Sequence, residues 1–253
     1  MRCLQCKNAP CVAGCPVGIR IPDFLKAAAA GRFDEAVAII RENSLLPAVC
    51  GRVCPQEVQC QAPCTLGKAL KDVDKAVSIG RVERFVSDLE RESGRQAAPE
   101  IKPATGKKVA VIGSGPASIT VAADVRREGH EVTMFEAFHK PGGVLIYGIP
   151  EFRLPKAIVQ NEIDLLQRMG VKLELNYVVG RTRKIKDMLA QDGFDALFVG
   201  TGYQWDRVMR RQQDFDASLF GSLLPADVWE RVPSDRVQRL LEAAPCFRPP
   251  PAH

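Results

Sequence analysis

Eight of the nine cysteines fall between Cys3 and Cys64, in two bursts: Cys3, Cys6, Cys11 and Cys15 before Pro16, then Cys50, Cys54 before Pro55, Cys60 and Cys64. A run of C-x2-C-x4-C-x3-C-P sets three thiolates on one tight loop around an iron-sulfur cubane and turns its last cysteine toward a neighbouring cluster. The second burst then supplies the remaining ligands, so the first third of the chain must fold around two 4Fe-4S clusters. Two structural zinc sites would call for paired knuckles with two to four residues between thiols, and only Cys3 with Cys6 makes an obvious one. Counting thiols assigns Cys3, Cys6, Cys11 and one distant cysteine to one cluster and Cys15 with three others to the second, leaving Cys50 in competition with ligands that are not cysteine. Cys246, alone in a proline-rich tail, has no role.

Disulfides need an oxidising compartment, and the start Met1-Arg2-Cys3 lacks the basic region, apolar stretch and cleavage site of a signal peptide. Reduced thiols and a cytoplasmic location are therefore expected. Nowhere do eighteen apolar residues run together, and the most aliphatic patch, Phe24 to Ala30, is interrupted by Lys26 and ended by Gly31, so no membrane span is expected. The formal charge of +5 is modest and its basic residues are spread rather than striped, which argues against a nucleic-acid partner.

Between the bursts, Pro22 opens a helix through Asp23 to Ala30 that Gly31 stops, and Phe33, Val37 and Ile40 mark a second over 33 to 42. Val77, Val82, Phe85, Val86 and Leu89 mark an amphipathic helix from about Ala76 to Arg91, with Glu83 in its middle. Residues 1–95 thus form a helical cysteine domain, and 96–106, rich in proline and glycine, a linker. From Lys107 the pattern turns to βαβ: strand 109 to 112, a glycine turn, helix 117 to 128, and strand 132 to 135 ending at Glu136. A helix over 155 to 169, a strand over 171 to 175, a short helix over 184 to 190 and a strand over 194 to 199 complete half of a doubly wound sheet within 107–202. The fold class is α + α/β. The tail 203–253 is divergent, with a helix opening at Pro233-Ser234-Asp235 and reaching Ala244.

Gly113-x-Gly115-x-x-Ser118 follows a strand and opens a helix, and Glu136 ends the next strand about twenty residues on, the context a dinucleotide fingerprint requires. Gly113 allows the tight turn, Gly115 lets a pyrophosphate approach the helix amides, and Glu136 can accept from a ribose hydroxyl. Ser118 stands where the third glycine would be and is small enough for helix-strand contact. Pro141-Gly142-Gly143 and Gly148, with Arg153 and Lys156, read as a lining for flavin and phosphate.

The chain resembles the small (beta) subunit family of NADPH-dependent glutamate synthase and its relatives, among them the electron-input part of dihydropyrimidine dehydrogenase, sulfide dehydrogenases, and the large subunit of a bifurcating NADH-dependent ferredoxin:NADP oxidoreductase. The resemblance spans Arg2 to Gly202. It is carried by the first cysteine run, Leu46-Pro47-Ala48-Val49-Cys50-Gly51-Arg52-Val53-Cys54-Pro55, Ile79-Gly80-Arg81-Val82-Glu83-Arg84-Phe85, Gly113-Ser114-Gly115-Pro116-Ala117, and Tyr147-Gly148-Ile149-Pro150-Glu151-Phe152-Arg153-Leu154-Pro155. It implies one cluster on Cys3, Cys6, Cys11 and Cys64, and another on Cys15, Cys54, Cys60 and Glu83, where dihydropyrimidine dehydrogenase has glutamine; Cys50 becomes a non-ligand. It also implies FAD on Gly113, Ser114, Gly115, Pro116, Ala117, Glu136, Gly143, Val144, Arg153 and the backbone around Val179. In such proteins NADPH reduces FAD, and single electrons pass through the clusters to a partner subunit such as the glutamate synthase large subunit. The family's NADPH module should begin after Gly202 and a helical leader should precede the first cysteine. With neither present, the expectation is a C-terminally truncated member with an incomplete FAD-binding Rossmann-like domain and impaired NADPH oxidation. The alternative is a non-enzymatic ferredoxin-like electron-transfer or docking module, or an inert remnant.

Overall fold

The computed structural model describes residues 2–96 and 98–201. The tail from 203, its expected helix and Cys246 lie outside the described residues. The chain divides into two units, Met1–Ala97 with Phe152–Leu154, and Ala98–Glu151 with the chain from Pro155 onward. The assignment of Phe152–Leu154 differs from the sequence reading, which kept that stretch with the dinucleotide domain.

The first unit is helical: α1 Pro10–Ala13, α2 Ile21–Ala29, α3 Phe33–Arg41, α4 Pro47–Val53, α5 Thr65–Ala69, a 3-10 turn Val73–Lys75, and α6 Ile79–Glu92. Pro22 sits in the first turn of α2, where its missing N–H costs nothing, and Gly31 leaves the helix with φ +76°. Phe24, Leu25, Ala36, Val37, Ile40, Ile79 and Val86 bury their side chains in one core. The short helices α1, α4 and α5 have no sequence periodicity to betray them, and each lies beside cysteines: α1 contains Cys11, α4 contains Cys50, and α5 follows Cys64. The buried face of α6 also departs from the sequence reading. It is Ile79, Gly80, Glu83, Val86 and Ser87, whereas Phe85 remains 52% exposed, its ring edge-on to Phe33. The reason is α4, which lies so close that a Cβ on Gly51 would stand 2.7 Å from the Arg84 backbone nitrogen.

The second unit is a four-stranded parallel sheet of order β3-β2-β1-β4, from β1 Lys108–Ile112, β2 Glu131–Phe135, β3 Lys172–Glu174 and β4 Ala196–Val199. Helices α7 Pro116–Arg127, α8 Val144–Tyr147, α9 Lys156–Arg168 and α10 Ile185–Ala190 complete it. Val109, Ala110, Val111 and Ile112 are all buried, as a central parallel strand demands. Consecutive crossovers run outward from β1 to β3, then return to β4 on the other side of β1, which opens the sheet at its strand ends between β1 and β4. β3 is shorter than read because the Val171 amide still bonds Leu166 at the end of α9. β4 starts late because the Asp195 side chain accepts the Lys108 amide at 2.8 Å in place of a ladder bond. Nor is the stretch expected as a linker wholly free: Lys102 N donates to Arg127 O at 2.9 Å and Thr105 N to Gly129 O at 3.1 Å. Gly129 permits this, since a Cβ there would lie 2.1 Å from Pro103 O.

Candidate metal centre and dinucleotide turn

All eight cysteines of the two bursts are free thiols. Cys3, Cys6, Cys11 and Cys64 converge on one hollow walled by Leu4, Pro10, Ile21, Pro22, Leu25, Leu66, Val77 and Ile79. Gln5 positions the loop by donating to Pro22 O at 2.9 Å and to Cys3 Sγ at 3.4 Å, and Cys6 Sγ lies 3.4 Å from Thr65 Oγ1. Burial, then the neighbouring Cys3 and Cys64, push the Cys11 thiol up to about 11. Burial also acts on Cys64, but the amides of Val77, Gly67 and Leu66 outweigh it and hold that thiol below its ordinary range. Backbone N–H groups aimed at a sulfur are what a bound thiolate uses.

Cys15, Cys54, Cys60 and Glu83 form a second neighbourhood in the same unit. Burial, followed by Glu83 and Cys15, pushes Cys54 up to about 11; burial, followed by Cys15, Cys54 and Glu83, pushes Cys60 up to about 12. The Glu83 carboxyl is buried and raised by that burial to about 8. Its Oε1 has no hydrogen-bond partner, while Oε2 lies 3.5 Å from Gln56 Nε2. Cys50 shares this neighbourhood. Burial and then Glu83 raise its thiol, and Ser44 Oγ lies 3.8 Å from its sulfur.

The chemistry of both donor sets, crowded thiols in one and thiols with a buried carboxyl in the other, suits iron-sulfur clusters. Among the described residues, no three His, Cys, Asp or Glu side chains are placed to hold one metal ion. Crowded, desolvated thiols resist ionising together unless a cationic core compensates their charge, and an unpartnered buried carboxylate oxygen wants the same compensation. Iron-sulfur cores would be held here by thiolate and carboxylate donors and would supply one-electron carrier chemistry.

In the second unit, Gly113 takes φ +91° and a Cβ on it would meet Gly200 O at 2.7 Å, so the turn requires glycine. Gly115 has φ −66° and a Cβ there would find nothing nearer than Gly200 O at 4.0 Å. Neither backbone nor packing demands that glycine, so the open space beside the start of α7 suits a pyrophosphate. Pro116 is the first residue of α7, and Ala117 and Ser118 follow it in the first turn. Ser118 is fully buried and donates to Gly200 O at 3.3 Å, closing helix on strand.

The Ser114 hydroxyl joins Glu136 Oε2 and accepts the Gly142 amide at 2.8 Å; Phe138 N donates to Glu136 Oε1 at 2.9 Å. Both oxygens of the buried Glu136 carboxylate thus already accept a hydrogen bond within the unit. Gly143, at φ +52°, comes so close that a Cβ would lie 2.9 Å from the Gly115 Cα, and Val144 follows at the start of α8, 55% exposed. Tyr177 N bonds Glu136 O at 2.9 Å, which sets Val179 beside the same strand end. Arg153 belongs to the segment that groups with the first unit. Lys156, expected to face a phosphate, instead donates from Nζ to the carbonyls of Leu145, at 2.9 Å, and Ile149, so its ammonium holds the loop.

Sequence reasoning missed Gln56, Gly80, Gln5 and Ser44. Only adjacency to the Cys54-Pro55 step and a helical glycine three residues before Glu83 could have flagged the first two.

Residues 1–95 match the family model for dihydropyrimidine dehydrogenase domain II, 4Fe-4S cluster, and residues 111–153 match an NAD(P)-binding Rossmann-like domain. The glutamate synthase (NADPH) small chain of Escherichia coli strain K12 is 39% identical over 216 residues, covering 85% of this chain and 44% of that protein. The NAD-dependent dihydropyrimidine dehydrogenase subunit PreT of Escherichia coli O157:H7 is 38% identical over 199 residues, covering 79% of this chain and 47% of that protein. Among solved structures, the oxidoreductase FprA of Mycobacterium tuberculosis is 22% identical over 40% of this chain and 23% of its own, with a TM-score of 0.35. The chain spans about half the length of the curated relatives it matches.

Proposed function

We propose that this homologue of the glutamate synthase (NADPH) small chain and of subunit PreT is an electron-transfer iron-sulfur flavoprotein serving a partner subunit in the cytoplasm. Cys3, Cys6, Cys11 and Cys64 would hold one 4Fe-4S cluster, and Cys15, Cys54, Cys60 and Glu83 the other. Gly113, Ser114, Gly115, Pro116, Ala117, Glu136, Gly143, Val144 and the backbone at Val179 would hold FAD. A flavin couples two-electron hydride chemistry to the single-electron carriers. The chain's own part is to hold and insulate: apolar side chains wall the first thiol hollow, backbone amides favour the Cys64 thiolate, and Gly115 leaves the helix start bare.

The observation that carries this reading is the separation of the thiols into two neighbourhoods, one of Cys3, Cys6, Cys11 and Cys64 and one of Cys15, Cys54, Cys60 and Cys50 beside a carboxylate with one unpartnered oxygen. The test is the metal, sulfide and flavin content of the anaerobically purified chain. About eight iron and eight sulfide per chain with stoichiometric FAD are expected, and a zinc-only protein would overturn the assignment. A second reading, that a nicotinamide dinucleotide itself occupies the glycine turn, is favoured by the match of residues 111–153. Iron and sulfide without flavin, together with tight NAD(P)H binding, would select it.

A further inference from the structure

We propose that Gln56 is a positioning residue for Glu83: its amide engages one carboxylate oxygen so that the other is presented to the second cluster, and Gly80 is bare to admit it. This rests on the reading of Glu83 as a ligand. Gly80 is buried in α6, three residues before Glu83. A Cβ there would lie 1.5 Å from Gln56 Oε1, 1.7 Å from Nε2 and 1.8 Å from Cδ, so the amide occupies the volume that a side chain on α6 would fill. Gly80 does not figure among the positive-φ glycines, so backbone conformation does not account for it. Glycine inside a helix weakens the helix, which makes room for the amide the consistent reason for it.

From that slot Gln56 Nε2 stands 3.5 Å from Glu83 Oε2 and 3.5 Å from Cys50 O. One amide thereby spans the α4 backbone and the α6 carboxylate. Glu83 Oε1 is left buried with no partner. Ser87, the other side chain bonded to Glu83, reaches its backbone carbonyl at 2.7 Å and leaves the carboxylate alone. The two oxygens are therefore unequal: Oε2 faces an N–H donor and Oε1 faces none. A donor on the outer oxygen of a ligating carboxylate fixes its orientation and draws charge away from the metal, which raises the potential of the cluster.

The experiment uses the full chain, reconstituted anaerobically with iron and sulfide, in wild-type, Gln56→Leu, Gly80→Ala and Glu83→Ala forms. EPR spectra are recorded through a redox titration. Gln56→Leu, which removes the donor, and Gly80→Ala, which expels it, should both shift the EPR signal and lower the potential of the same cluster that Glu83→Ala alters. The signal of the other cluster, on Cys3, Cys6, Cys11 and Cys64, should stay at its wild-type position and reports that the unit has folded. If Glu83→Ala changes one cluster while Gln56→Leu leaves both at wild-type values, Gln56 has no positioning role and the ligand reading survives. Wild-type spectra in Glu83→Ala would remove the ligand reading and this proposal with it. Loss of both clusters in both Gln56→Leu and Gly80→Ala would assign the amide to folding and overturn the proposal.

Discussion

A carboxyl group taken out of water with one oxygen unpartnered is among the costlier things a small helical unit can contain, and Glu83 is one. Burial alone raises it to about 8, so in the metal-free chain at neutral pH it holds its proton. Such an arrangement makes sense when a cationic group replaces that proton. Cys50 competes for the same role, being raised by burial and by Glu83 itself. The two are separated by substitution: Glu83→Ala should change the EPR signal or occupancy of one cluster and spare the other, while Cys50→Ser should leave both signals at wild-type position. The reverse pattern would make Cys50 the ligand. At this scale the cysteine spacing was legible, because cubane ligation is written into intervals along one strand of sequence. Gln56 was not, because its partners are Glu83 and a space created by a missing Cβ at Gly80, and a glycine three residues before Glu83 does not by itself say what fills that space.

Among elements, α4 against α6 carries the cysteine unit. Arg52 donates to both carboxylate oxygens of Asp88 at 2.8 and 2.7 Å, with the Arg52 side chain 6% exposed and Asp88 21%. Gly51 lies against the Arg84 backbone, which cannot swing away as a flexible side chain could. Gly51→Ala should therefore cost about 1 to 3 kcal/mol of overpacking, read as a lower melting temperature of the cysteine unit. Asp88→Ala should cost more, about 3 to 5 kcal/mol, because it strands a buried guanidinium. In the sheet, Asp195 is held below its ordinary 3.8 by the Lys108 amide first and the Lys107 ammonium next. A depressed carboxyl pKa means that the unfolded chain takes up the proton more readily. Its contribution is then complete above 3.8 and is lost as pH falls through the lower folded value. Asp195→Asn should destabilise the second unit by about 1 to 3 kcal/mol in urea melts at neutral pH, with the gap to wild type closing in strong acid. Long elements such as α3, α7 and α9 were legible because nine or more residues repeat an apolar face. α1, α4 and α5 are four to seven residues long and show no such repeat, and the apolar stripe read through Phe85 misplaced the α6 face because a polar residue, Glu83, is turned inward.

For the whole molecule, the decisive count is of dinucleotide turns. The sequence carries one glycine fingerprint between a strand and a helix, at Gly113 to Ser118; the glycines after Gly180, at Gly193, Gly200, Gly202 and Gly221, form no second. Gly200 has a different use, its carbonyl accepting from Ser118 where β4 ends beside the turn. One turn can seat FAD or a nicotinamide dinucleotide, and hydride transfer between them needs a site for each. If the turn seats FAD, the purified 253-residue polypeptide should carry stoichiometric FAD and take electrons from dithionite into its clusters. Rapid NADPH-dependent dye reduction by the purified chain would mean that residues without a glycine fingerprint bind the nicotinamide. Dye reduction that needs a separate NADPH-binding flavoprotein domain would instead locate the function of this chain downstream of hydride transfer, where the two thiol neighbourhoods already stand.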